Sequence, residues 1–83
     1  MLKELISQGE SFRNSKKLGE FSLPDYIDND GYQDWKREAL MFLQVNYPDN
    51  LQTKDFSELR NSDKFYDYET MLSILRAFDK FAK

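Results

Sequence analysis

The sequence predicts a small all-α bundle, a single domain over residues 1–83 with three main helices, one short helix and a long ordered connector. Two stretches carry the prediction. Laid on a helix, Val45, Phe42, Trp35, Ala39, Tyr32, Leu43, Tyr47 and Leu40 of residues 32–47 cover roughly 200°. A surface helix needs an apolar stripe of only about 100°, so this central helix is expected to have neighbours on two sides. In the closing stretch, Phe65, Tyr68, Met71, Leu72, Ile74, Leu75, Phe78, Phe81 and Ala82 span a similar arc. The third observation is negative: no strand pair, internal repeat or low-complexity segment stands out.

Residues 1–14 read as the first helix. Met1, Leu2, Leu5, Ile6, Gly9 and Phe12 share one face, with Lys3, Glu4, Gln8 and Glu10 outside it. A glycine in mid-helix costs about 1 kcal/mol relative to alanine. A neighbour passing close to Gly9, the central helix above all, would explain it; a tolerated glycine is the alternative. The connector, residues 14–30 (NSKKLGEFSLPDYIDND), is punctuated by Gly19 and by Pro24, which biases Leu23 to an extended conformation. Its Phe21, Leu23, Tyr26 and Ile27 are too apolar for a free linker, so the connector is expected to lie on the helices, with a helical turn at 24–27.

Asp30 offers a carboxylate cap to the central helix, with Gln33 placed to complete a capping box and Asp34 in the first turn. Pro48 ends that helix in the turn Tyr47-Pro48-Asp49-Asn50. Thr53 is expected to cap a short helix over 54–60 that shows Phe56 and Leu59, and Asn61-Ser62-Asp63 breaks it. The last helix starts near residue 63 and runs to the end, with Arg76, Lys80 and Lys83 gathered on its polar side where cations suit the dipole.

Composition excludes several classes of function. Thirteen aromatic residues in 83 mark a globular chain whose core is built from rings. With no cysteine and no histidine, the familiar zinc sites and the Ser-His-Asp and Cys-His arrangements are excluded. The lack of cysteine fits a cytoplasmic location. No apolar run approaches membrane-spanning length, and the opening MLKELISQGE lacks the pattern of a secretory signal. A net charge of −3 argues against nonspecific nucleic-acid binding.

Four features of the sequence are candidate sites. Asp28-Asn29-Asp30-Gly31 suggests a calcium loop, but with Gly31 at the glycine position the first ligand falls on Tyr26 and the bidentate one on Arg37. No metal or cofactor is therefore expected. Asp25, Asp28, Asp30 and Asp34 could pair for hydrolysis, yet turn-rich sequence favours aspartate for local hydrogen bonding. An acidic contact surface for a basic partner is the better functional reading of these four. Arg13, Lys16 and Lys17 offer a small phosphate patch or a solvated helix end. The fourth feature is the apolar surplus: Ile74, Phe78 and Phe81 on the last helix, Tyr66 on its polar side and Met41 off the main arc of the central helix. These residues either finish the core or form a protein interface, in which aromatics and Met are enriched.

The order YQDWKREALMFL, DFSELRNSDKFY and TMLSILRAFDKF, after an opening LISQGESF, resembles the small helical N-terminal modules that precede effector domains in larger bacterial proteins. The resemblance implies recognition, oligomerisation or control of an attached or separate partner, and no catalytic residues. The expectation is thus a non-enzymatic interaction or regulatory module, binding a protein partner or its own kind through the last helix and the adjacent edge of the central one. Because this chain stops at Lys83, it is expected to be either an excised module or a protein that works alone. In the second case the rival is a compact acidic inhibitor of the phage or mobile-element type, blocking a basic groove on a host protein.

Overall fold

Tyr32, Trp35, Lys36, Ala39, Leu40 and Leu43 recur every three or four residues along helix α2 (Gly31–Asn46), and all six are buried. This stripe organises a mostly helical domain of four helices and one small hairpin, seen in a computed structural model that describes residues 1–81. The expected last-helix positions Ala82 and Lys83 lie outside the described residues. Ahead of α2 come α1 (Leu2–Ser11), a 3-10 turn (Phe12–Ser15) and the strands β1 (Lys16–Lys17) and β2 (Tyr26–Ile27); after it come α3 (Leu51–Leu59) and α4 (Phe65–Phe81). As the wide apolar arc predicts, α2 packs on two sides, against α1 and α3. The buried stripe is nevertheless narrower than the arc, because Val45 is exposed and Phe42 only half-buried.

Trp35 is the hub. Its ring lies 5.8 Å from those of Phe12 and Tyr32, 6.2 Å from Tyr68 and 6.4 Å from Phe56. Those rings come from the 3-10 turn, α2, α4 and α3, so one indole ties four segments together. Its Nε1–H donates to the Leu5 carbonyl at 2.8 Å, and the Tyr68 hydroxyl donates to the Gly9 carbonyl. Gly9 makes this approach possible: a Cβ there would sit 2.4 Å from Trp35 Cζ2 and 2.9 Å from Leu72 Cδ2. The central helix is the expected neighbour, and it arrives through a side chain rather than its backbone.

Several local expectations are corrected. The connector forms an antiparallel pair, Lys16 opposite Ile27 and Lys17 opposite Tyr26, where no strand was expected and a helical turn was. The Ile27 N–H donates to the Asp63 carbonyl and the Phe65 N–H to that of Asp25, which holds β2 extended and stitches it to the start of α4. Asp30 makes no side-chain cap; Asn29 Oδ1 accepts from the Gly31 N–H at 2.8 Å, and Gln33 donates to Asp63 instead of closing a box. Helix α3 begins earlier than expected because Asn50 caps it, accepting from the Gln52 N–H, while Thr53 lies inside and donates to the Tyr47 carbonyl. Regular helix α1 ends at Ser11 and tightens into the 3-10 turn.

Lys36 is the unexpected member of the buried stripe. Its Nζ donates to the Ser62 carbonyl at 2.9 Å and to Asp63 Oδ1 at 3.3 Å, and it lies 4.4 Å from the Tyr32 ring centroid. Burial lowers its pKa, and Asp63 partly offsets that. Burial also raises the pKa of Tyr32 and Tyr68, and among the described residues the buried Tyr32 hydroxyl has no hydrogen-bond partner.

Two predictions follow from the hub and its neighbours. Gly9→Ala gains helix propensity but overpacks the indole, and overpacking typically costs about 1–3 kcal/mol. Thermal melting of the variant should drop by about 4–8 °C for each kcal/mol lost; an unchanged or higher Tm would show that the Trp35 contact does not constrain α1. Tyr32→Phe removes a hydroxyl that is desolvated without compensation, so stability at neutral pH should hold or rise by about 1 kcal/mol. The pH effect has a definite sign. Above the ordinary tyrosine value of 10.0 the unfolded chain ionises while folded Tyr32 keeps its proton, so native stability falls as pH rises. Lys36 acts oppositely, adding stability as pH approaches its ordinary 10.5 from below. Urea melts between about pH 9 and 11 should show Tyr32→Phe losing less stability than wild type, by up to about 1.4 kcal/mol per pH unit; parallel losses would contradict this account.

Candidate functional site: a groove between the last two helices

Helices α3 and α4 run antiparallel, joined by a short loop, and leave an open groove along one side. One half, about 380 Å³, is lined by Gln52, Asp55, Glu58 and Leu59 of α3 and by Thr70, Ser73, Ile74 and Ala77 of α4. The other half, about 280 Å³, is lined by Asn50, Gln52, Ala77, Phe78 and Phe81. Gln52 and Ala77 belong to both halves, so the groove is continuous. Its floor follows from α4 spacing. Tyr68, Met71, Leu72 and Leu75 point into the core, and Ile74, Ala77, Phe78 and Phe81 form the adjoining row at the edge. Phe56 and Thr53 are the buried side of α3, which turns Asp55 and Glu58 outward onto the groove wall.

The structure divides the predicted interface residues. Ile74, at 5% exposure, and Phe78, at 4%, are largely committed to the core, with Phe78 stacked on Tyr47 at 4.6 Å. They show only edges to the groove, so neither is the free contact residue expected from the sequence. Phe81, 76% exposed, projects at the groove end. Tyr66, 77% exposed, stands in the first turn of α4 and lines neither half. Met41 is exposed but lines a different groove, between α1 and α2, with Met1, Leu5, Phe42 and Val45. The wall facing α4 is therefore α3, not the edge of the central helix.

The acidic four are not a unit. Asp25 accepts from the Gly19 N–H at 3.0 Å, which holds its carboxyl below the usual range, and it lies 3.5 Å from the Lys16 ammonium. Asp34 pairs with Arg37 at 3.2 Å, while Asp28 and Asp30 are exposed before α2. Among the described residues no three metal-ligating side chains converge. Two of the basic cluster do come together, but on an aromatic ring: Arg13, paired with Glu69, and Lys16 lie 5.8 and 4.5 Å from the Phe65 ring centroid. Among the described residues no helix is long and apolar enough to cross a membrane.

Two surface features escaped the sequence reading. Asp55 and Glu58 are one; their i, i+3 spacing on the polar side of α3 was the available signal. The other is the hairpin tip. Phe21 is 94% exposed, flanked by exposed Leu18 and Leu23, so this part of the connector does not lie on the helices as expected. Phe21 and Ser22 take positive φ values of 51° and 73°, and a Cβ on Gly19 would meet the Leu23 carbonyl oxygen at 1.9 Å. That turn throws the apolar side chains outward.

No protein-family model, curated protein or solved structure matches this chain. Its surface therefore carries the functional reading alone.

Ile74 and Phe81, which line opposite halves of the groove, should behave oppositely in stability. Ile74→Ala removes buried methyl groups and should cost about 2–5 kcal/mol, whereas Phe81→Ala should stay within about 0.5 kcal/mol of wild type. Denaturant melts of the two variants decide the matter, and equal losses would place Phe81 in the core.

Proposed function

We propose that the chain is a non-enzymatic helical interaction module that binds a partner protein through its last helix. The observation that carries this reading is the α3–α4 groove: a continuous groove floored by the edges of Ile74, Ala77 and Phe78 and ending in an aromatic ring that the fold leaves exposed. Buried aromatic anchors dominate binding energies in such interfaces, and Phe81 is placed to become one on contact. The rival reading, an acidic inhibitor acting through Asp25, Asp28, Asp30 and Asp34, is less well supported, because Asp25 and Asp34 already have local cationic partners.

The test compares capture by wild type and by Phe81→Ser from lysate of the source organism, with quantitative mass spectrometry of what is retained. A protein held by wild type and reduced at least about tenfold by Phe81→Ser, at equal melting temperature, supports the reading; tenfold corresponds to about 1.4 kcal/mol. Equal capture by both would remove the last helix from the interface.

A further inference from the structure

We infer that the groove between α3 and α4 receives a basic amphipathic helix of the partner, an inference that rests on the interaction reading and adds the partner's chemistry. Charge is the first argument. Asp55 and Glu58 stand on the α3 wall, and no lysine or arginine lines either half of the groove. Among the described residues neither carboxylate has an ion pair, although Lys54 lies one turn before Glu58. Glu10, Glu69, Asp34 and Asp25 are matched by Arg76, Arg13, Arg37 and Lys16, whereas Asp55 and Glu58 face a groove that no cation lines. The groove thus combines an apolar floor, ending at exposed Phe81, with negative charge that no lining cation offsets, in a chain of net charge −3.

Shape is the second argument. Both walls are helices, and the only strands of the described residues pair with each other at the far end of α1, so the groove offers no strand edge to an extended peptide. From Thr70 to Phe81 the α4 wall is about 17 Å long at 1.5 Å per residue, which suits an occupant of about three helical turns. Its apolar residues, spaced i, i+3 or i+4, i+7, would lie over Leu59, Ile74 and Ala77 and against Phe81. Lysines or arginines on the flanking face would meet Asp55 and Glu58. Apolar contact supplies the affinity, and the carboxylates select sign and orientation.

Three synthetic helices of about 14 residues, sharing one leucine pattern and carrying lysine, glutamine or glutamate elsewhere, test this against the isotope-labelled full chain by NMR titration. The lysine helix is expected to shift the amides of Gln52, Asp55, Glu58, Ser73, Ala77 and Phe81, and to bind about tenfold or more tighter than the glutamate helix at low salt. The double variant Asp55→Lys/Glu58→Lys, whose exposed sites leave folding intact, should reverse that preference, and Phe81→Ser should weaken all binding. Equal affinity for the three helices in this groove would overturn the basic partner and leave the interaction reading standing. Shifts confined to other surfaces, or none with any helix, would overturn the groove as the docking site, and the capture experiment then judges the interaction reading separately.

Discussion

The contact between Gly9 and Trp35 is the constraint from which the rest of the architecture follows. An indole can lie against a helix backbone only where no Cβ intervenes, and Gly9 is the residue of α1 that permits it. The close approach lets Trp35 hydrogen-bond the Leu5 carbonyl while Tyr68, from α4, bonds the carbonyl of Gly9 itself. Two buried polar groups are thereby satisfied by one turn of α1, which orients α2 and α4 against it. Edge-on and stacked ring pairs then fill the space around the indole, each worth about 0.5–1.5 kcal/mol beyond area burial. A domain of 83 residues cannot draw on a large aliphatic core, and here directional aromatic contacts do part of that work.

The same hub determines what remains outside. Tyr68 is fixed at the centre, so the rotation of α4 about its axis is fixed, and the row Ile74, Ala77, Phe78 and Phe81 falls at the edge of the core. Helix α3 is only nine residues long and covers one flank of that row. Phe56, reaching Trp35, fixes its rotation in turn and leaves Asp55 and Glu58 facing out. The groove is thus a consequence of two helices of unequal length being clamped by one ring cluster.

The helices were legible because their apolar residues repeat at 3.6-residue spacing over long enough stretches, and Gly9 was legible as a close approach because a mid-face glycine is otherwise a loss. What escaped depends on partners distant in sequence. Lys36 reads as a polar-face residue; it is buried because the Ser62 carbonyl, 26 residues on, and the Tyr32 ring receive its ammonium. The strands are two residues each, too short for alternation to register, and their extension is enforced by backbone bonds to Asp63 and Phe65. Nothing in a phenylalanine announces positive φ, so the outward turn at Phe21 was invisible. In the groove, the widened apolar arc of the last helix was readable. The α3 wall was not, because it depends on how α3 is rotated on α4.

Lys36 also bears on how the groove would work. Its ammonium, anchored in α2, holds the Ser62 carbonyl and Asp63. On the same loop, Gln33 bonds Asp63, and β2 exchanges backbone hydrogen bonds with Asp63 and Phe65. The turn joining α3 to α4 is therefore gripped from α2 and from the hairpin. A turn held at several points keeps the angle between the two helices, and a groove whose walls are already placed loses less conformational entropy when an occupant arrives. Burying an ammonium is unfavourable unless it is hydrogen-bonded and paired, and Lys36 is both. Its bonds tie the loop between α3 and α4 to α2. A groove whose walls are held in this way, with charge on one of them, would select an occupant by shape and sign together.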